Sequence, residues 1–235
     1  MSIPTELDEA APTVFVQAGY EELIARLDAG DGTFVTFFDS GAANTCAYDV
    51  THNGQDLAVI VRRPHHGIIP AGEVDKGLAT RAYALRLHLG DAALEEVLAC
   101  APDVVVTRRM SHALDELSVS QVENIAYETL DRLAGHLALA CQKPFRVDTY
   151  GPNVLLDGGE FGIIDYSAPM SRTEPAGRQF MYILRNNILD LHRQAPTKRE
   201  RAAWYGVYLL GLQVLQERYQ DDYRVAIDLD SRSFA

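Results

Sequence analysis

The sequence predicts an α+β, bilobal chain: a five-stranded antiparallel β-lobe with one helix over 1–110, then a reduced, mostly helical lobe over 111–235. Three observations lead there. β-Branched runs follow one another across short links between residues 33 and 63, as an antiparallel meander requires. From Val74 to Leu89 apolar residues recur at three- and four-residue spacing, which marks a single helix. Beyond Ser120 helical periodicity dominates, broken by one short Gly-Gly hairpin.

A short helix over Tyr20–Asp28 comes first and is closed by Ala-Gly-Asp-Gly. Strands TFVTFFD (33–39) and TCAYDV (45–50) flank a small-residue link, Ser40-Gly41-Ala42-Ala43-Asn44. A third strand, DLAVIVRR (56–63), is stopped by Pro64. The helix between Gly72 and His88 aligns Val74, Leu78, Ala82, Leu85 and Leu89, and EEVLAC and DVVVTRRM supply two more strands. Ser120 and Glu123 match a capping box for a long helix ending near Cys141. Val122, Ile125, Ala126, Leu130, Leu133, Ala134 and Leu137 form its buried face. Two further helices are expected over 176–193 and 197–220.

Composition narrows the classes. The chain has 235 residues, 47% of them apolar, enough for an ordinary core. A net charge of −12 argues against nucleic acid as partner, since phosphate backbones need Lys/Arg surfaces. The three cysteines are widely spaced and suggest neither a disulfide framework nor zinc, as expected in a reducing cytoplasm. The acidic N-terminus has no apolar run of a signal peptide, and YGVYLLGLQVL (205–215) is too short to span a membrane. A cytoplasmic chain without a membrane partner is expected. His65-His66 reads as loop, and no Walker A, G-x-S-x-G or H-E-x-x-H motif occurs.

The chemistry concentrates in VDTYGPNVLLDGGEFGIIDYS (147–167). Gly158-Gly159 predicts a two-residue hairpin pairing Asp157 with Glu160, Leu155 with Gly162 and Asn153 with Ile164. Asn153 and Asp165 then meet at its open end, with Asp148 nearby across a Tyr-Gly-Pro link, while Asp157 and Glu160 stay at the solvent-facing tip. Two carboxylates and an amide oxygen suit Mg²⁺, which takes oxygen ligands. The competing reading is an Asx-turn at Asp148, a strand-entry Asn153 and a surface Asp165.

D-x4-N, a short hairpin and I-I-D-Y together resemble the catalytic core of the protein-kinase-like superfamily, which includes aminoglycoside-type phosphotransferases and compact bacterial effector kinases. The resemblance is sharp over 146–167 and extends in layout over about 30–170. It implies ATP and Mg²⁺ as cofactors: Asp148 orients the acceptor hydroxyl, and Asn153 and Asp165 hold the metal. It places Ser40, Gly41, Ala42, Ala43 and Asn44 over the phosphates, with one glycine where the family often has three. Where the family expects a strand lysine stand Arg62 and Arg63, and Arg62 has the better parity with the apolar inward positions. Glu73 and Asp75 are the candidates for the acid pairing with that cation, though both also suit a helix N-terminus. Val106–Met110 lies where the hinge meets adenine, with Met110 among the contacts.

Arg146 replaces the family's usual His, Tyr166-Ser167 replaces Phe-Gly, and no APE-like segment is visible. Arg172, Arg178 and Arg185 could face an acidic substrate, but read better as a solvated helix face. The expectation is a kinase moving the γ-phosphate to a hydroxyl. A protein substrate is favoured over a small hydroxylated molecule, because no small-molecule insertion is present. The alternatives are a pseudokinase acting as a binding module, and AMP transfer on the same scaffold.

Overall fold

The computed structural model describes residues 15–28, 36–40, 45–62, 97–101, 104–110, 112–142, 146–147, 149, 153–157, 159–163, 166–167 and 175–233. Contacts divide the chain into two units, Met1–Arg109 and Met110–Ala235. The helix expected between 72 and 88 lies outside the described residues.

The first unit holds β1 (Phe15–Val16), α1 (Glu21–Asp28), β2 (Thr36–Ser40), β3 (Thr45–His52), β4 (Gln55–Arg62), β5 (Val97–Ala101) and β6 (Val104–Arg108). These strands form one antiparallel sheet in the order β1-β5-β6-β4-β3-β2. Among the described residues it has six strands where five were expected: β1 pairs Phe15 with Cys100 and Val16 with Ala99, and a two-residue strand leaves no alternation to read. Leu23 and Ile24 of α1 pack with Val50, Leu57, Val59, Leu98, Ala99, Val104 and Val106, so one sheet face is the core of this unit.

The register of β3 and β4 is set by their turn. Asn53 (φ 51°) and Gly54 (φ 77°) are both left-handed, as a two-residue turn matching strand twist requires. His52 therefore faces Gln55, and the ladder runs to Thr45 opposite Arg62. The tip is tied to the start of α1. His52 Nε2 donates to the Gly19 carbonyl (2.7 Å), and the Tyr20 hydroxyl donates to Gln55 Oε1 (2.5 Å).

The second unit contains β7 (His112–Ala113), α2 (Val119–Glu123), α3 (Tyr127–Gln142), β8 (Arg146–Val147), β9 (Val154–Asp157), β10 (Glu160–Ile163) and β11 (Tyr166–Ser167). Then come α4 (Ala176–Tyr182), a π-helical turn (Ile183–Ile188), α5 (Leu189–Gln194), α6 (Lys198–Arg218) and α7 (Gln220–Ser233).

The capping box falls two residues earlier than expected. Ser118 is the N-cap: its N–H donates to Gln121 Oε1 (2.9 Å), and its Oγ accepts from the Gln121 N–H (3.4 Å). Glu123 cannot serve, because Arg199 holds its carboxylate through two bonds of 2.9 and 2.7 Å. The expected long helix is accordingly two, with α2 ending at Glu123, capped by Asn124, and α3 starting at Tyr127. Leu130, Leu133, Ala134, Leu137 and Ala140 bury one face of α3.

The helix expected over 176–193 carries a π-helical turn at its middle, where the Leu189 N–H donates to the Leu184 carbonyl five residues back. Ile183, Leu184, Asn187 and Ile188 of this turn are buried together. Thr197 and Glu200 cap α6, which ends at Arg218; after Tyr219 a further helix, α7, runs on to Ser233. Among the described residues no helix is long and apolar enough to cross a membrane.

Candidate functional site

β9 and β10 form the Gly-Gly hairpin, with Asp157 opposite Glu160, Leu156 opposite Phe161, Leu155 opposite Gly162 and Val154 opposite Ile163. Gly159 has φ 86°, a conformation that costs a side chain dearly. Three contacts fix the ribbon. β7 pairs with β9 through His112–Leu156 and Ala113–Leu155. Val154 and Ile163 are fully buried. Thr129, buried on α3, donates its hydroxyl to the Gly159 carbonyl (2.9 Å). At the tip Glu160 is exposed, 3.6 Å from Arg132. Nearby on α3, burial holds the His136 imidazole below the ordinary histidine range, against the opposing charge of Glu160.

At the other end, Asn153 is half-buried and immediately precedes β9. β8 pairs with β11, Val147 facing Tyr166 and Arg146 facing Ser167. Asp148 and Asp165 lie outside the described residues; they are the chain neighbours of Val147 and Tyr166. Between Asp148 and Asn153 the Thr149 carbonyl accepts a hydrogen bond from Asn187 Nδ2 (3.0 Å). Asn187 is 6% exposed and sits in the π-helical turn. The D-x4-N segment is thus fastened at Thr149, and the hairpin at Gly159.

Sequence reasoning passed over both fastening residues. Asn187 and Thr129 are polar residues at buried positions of helices, where an unpartnered polar group is costly. A polar residue inside an apolar stripe was the available signal.

The remaining candidates belong largely to the first unit. Ser40 ends β2 opposite Cys46; Gly41, Ala42, Ala43 and Asn44 lie outside the described residues. Arg62 ends β4 opposite Thr45, the residue that follows this link. Among the β4 residues whose side chains are described, Leu57 and Val59 are fully buried, and position 62 has the parity of Ala58 rather than theirs. Strand parity with the core therefore gives no reason to prefer Arg62 over Arg63. Arg63, Glu73, Asp75 and Arg172 also lie outside the described residues.

Met110 is half-buried and follows β6. Val106 and Thr107 are paired to β4 on one side and β5 on the other, and the Arg109 N–H donates to the Asp56 carbonyl (3.1 Å). Arg185 is not on a solvated face: it is mostly buried, paired with Asp230, and donates to the Ala226 carbonyl (3.2 Å). Arg178 lies 3.9 Å from Asp222.

No group of three His, Cys, Asp or Glu among the described residues could hold a metal ion. The donors expected from the sequence, Asp148, Asn153 and Asp165, would offer oxygen, which suits Mg²⁺ rather than a soft metal.

No protein-family model and no curated protein matches the chain. Solved structures do. WaaP in complex with acyl carrier protein is similar over 94% of this chain and 99% of its own, at 10% identity and a TM-score of 0.46. The aminoglycoside phosphotransferase APH(4)-Ia in ternary complex with ADP and hygromycin B is similar over 88% and 95%, at 12% identity and a TM-score of 0.40. The same enzyme in apo form gives 91% and 99%, at 14% identity and 0.40. At such scores the assignment of chemistry rests with the residues themselves.

Proposed function

We propose that the chain is a phosphotransferase that binds Mg²⁺ and ATP and moves the γ-phosphoryl group to a hydroxyl. The observation that supports this best is the hairpin frame of the motif. Asn153 opens a Gly-Gly hairpin in the register the motif requires, and the residues next to Asp148 and Asp165 are directly paired. An Asx-turn and a stray surface aspartate would need neither.

In this reading Asn153 and Asp165 hold Mg²⁺, which when bound offsets the negative charge of the phosphates. Asp148 orients the acceptor hydroxyl and takes its proton. The bond from the acceptor oxygen to the γ-phosphorus forms as the bond to the bridging oxygen breaks, and ADP leaves. Arg62 or its neighbour Arg63 pairs with the phosphates; arginine can do so bidentately, unlike lysine. The small residues Ser40–Asn44 allow backbone N–H groups close to the phosphates, and Met110 contacts adenine. Most of the acceleration then comes from placement and charge compensation. A hydroxyl on a protein is the favoured acceptor, since only the short stretch around β7 precedes α2 and leaves no small-molecule insertion.

Incubation with γ-labelled and, separately, α-labelled ATP distinguishes the outcomes. Label from γ alone, lost in Asp165→Ala, is expected. Label from α would make the chain an AMP transferase, and metal-dependent ATP binding without transfer would make it a binding module.

A further inference from the structure

We propose that Asn187 is a positioning residue that holds the Asp148–Asn153 segment in its working geometry through the Thr149 carbonyl. The proposal rests on the phosphotransferase reading above. Three features carry it. The Asn187 amide is almost wholly buried, and its Nδ2 donates to Thr149 at 3.0 Å, across 38 residues of chain. Thr149 follows Asp148 directly, so only the two backbone torsions of Thr149 separate the held carbonyl from the planar peptide that joins Thr149 to Asp148.

The third feature is the π-helical turn itself. Such turns are rare, and the one residue each adds rotates the downstream helix by roughly 100° about the axis. Ile183, Leu184 and Ile188 are fully buried here while Asn187 faces Thr149. The amide therefore lies on the core face of the turn, beside three fully buried side chains, with its Nδ2 on the Thr149 carbonyl. The turn is also braced from behind. Arg185 is paired with Asp230, which in turn accepts from the Tyr208 hydroxyl. The irregular turn is thus pinned by α6 and α7 on one side and directs its buried amide to the segment between Asp148 and Asn153.

The test uses the full chain and Mg²⁺·ATP turnover to ADP, beside Asp165→Ala. Asn187→Leu keeps the volume and removes the donor. It is expected to lower kcat by about 10- to 100-fold with the ATP KM changed by less than about threefold, and to speed amide exchange around Thr149. Asn187→Asp supplies a signature that lost packing cannot imitate. Its carboxylate has no donor at high pH, but once protonated its O–H can donate to Thr149. Its kcat relative to wild type should therefore rise as pH falls from about 8 to about 6, burial having raised its pKa.

A wild-type kcat in Asn187→Leu, with Asp165→Ala inactive, would overturn this proposal alone. So would a fall in kcat matched by loss of folded protein and no pH dependence in Asn187→Asp. Turnover unaffected by Asp165→Ala would remove the phosphotransferase reading, and this proposal with it.

Discussion

Three helical glycines of the second unit respond to a single added methyl group in opposite directions. Gly206 lies in α6 with nothing within 4 Å of where a Cβ would sit. Gly206→Ala therefore gains helix propensity, about 0.5–1 kcal/mol, at no steric cost. At Gly177 in α4 a Cβ would meet Asp222 Oδ2 at 2.3 Å and Tyr219 Cβ and Cγ at 2.7 Å. The carboxylate can turn aside. Tyr219 Cβ cannot, being bonded to the main chain where α6 gives way to α7. Overpacking of this kind costs about 1–3 kcal/mol, which outweighs the propensity gain. Gly211 is similar, with Leu184 Cδ2 at 2.2 Å and Leu184 fully buried.

The expected net loss for Gly177→Ala is about 1–2 kcal/mol, a fall in Tm of about 2–8 °C; Gly206→Ala should rise by about 1–4 °C. Thermal and urea denaturation of the two variants beside wild type decide the matter. A Gly177→Ala variant as stable as Gly206→Ala would refute the packing of α4 against the α6–α7 junction.

Two other outcomes follow from electrostatics and burial. Arg218 donates to both carboxylate oxygens of Asp131 and holds its pKa below the ordinary value of 3.8. The stabilisation is complete above that value and disappears as pH falls through the lower folded-state pKa. Both side chains are about a third exposed, so it amounts to less than about 1 kcal/mol. The gap in urea midpoint between wild type and Asp131→Asn should be open at pH 6 and closed by about pH 2; a constant gap would contradict the pairing. Burial also pushes the Cys141 thiol up to about 11 from an ordinary 9.0, leaving about 100-fold less thiolate at neutral pH. Peptide mapping after alkylation should find Cys141 modified at least about 100-fold more slowly in native protein than in urea, and equal rates would place it at the surface.

The hairpin of the candidate site was legible because turn chemistry is local: Gly158-Gly159 dictates the two-residue loop, and the register of β9 and β10 follows. Asn53-Gly54 carried an equally plain signal for the β3–β4 turn and was not read. Other features depend on distant partners. Ser118-x-x-Gln121 and Ser120-x-x-Glu123 both satisfy a capping box, and the choice is made by Arg199, far along the chain. The π-helical turn joins a buried amide to Thr149, and no window of helical periodicity contains that bond. α7 left no apolar stripe, since Ala226 is its one fully buried residue among those whose side chains are described. Asp230 ties it to Arg185 and Tyr208. The motif Asp148, Asn153, Asp165 came from spacing and resemblance. The scaffold adds the frame around it and a fastening residue, Asn187, that spacing could not reveal.

The central claim is that Asn153 and Asp165 hold Mg²⁺ on ATP. Calorimetric titration of the chain with ATP, with and without Mg²⁺, tests it most directly. Mg²⁺ should tighten ATP binding to the wild-type chain by about tenfold or more, a coupling of about 1.4 kcal/mol, and Asp165→Ala should abolish that gain while remaining folded. Equal ATP affinity with and without Mg²⁺, or a gain that survives Asp165→Ala intact, would contradict it.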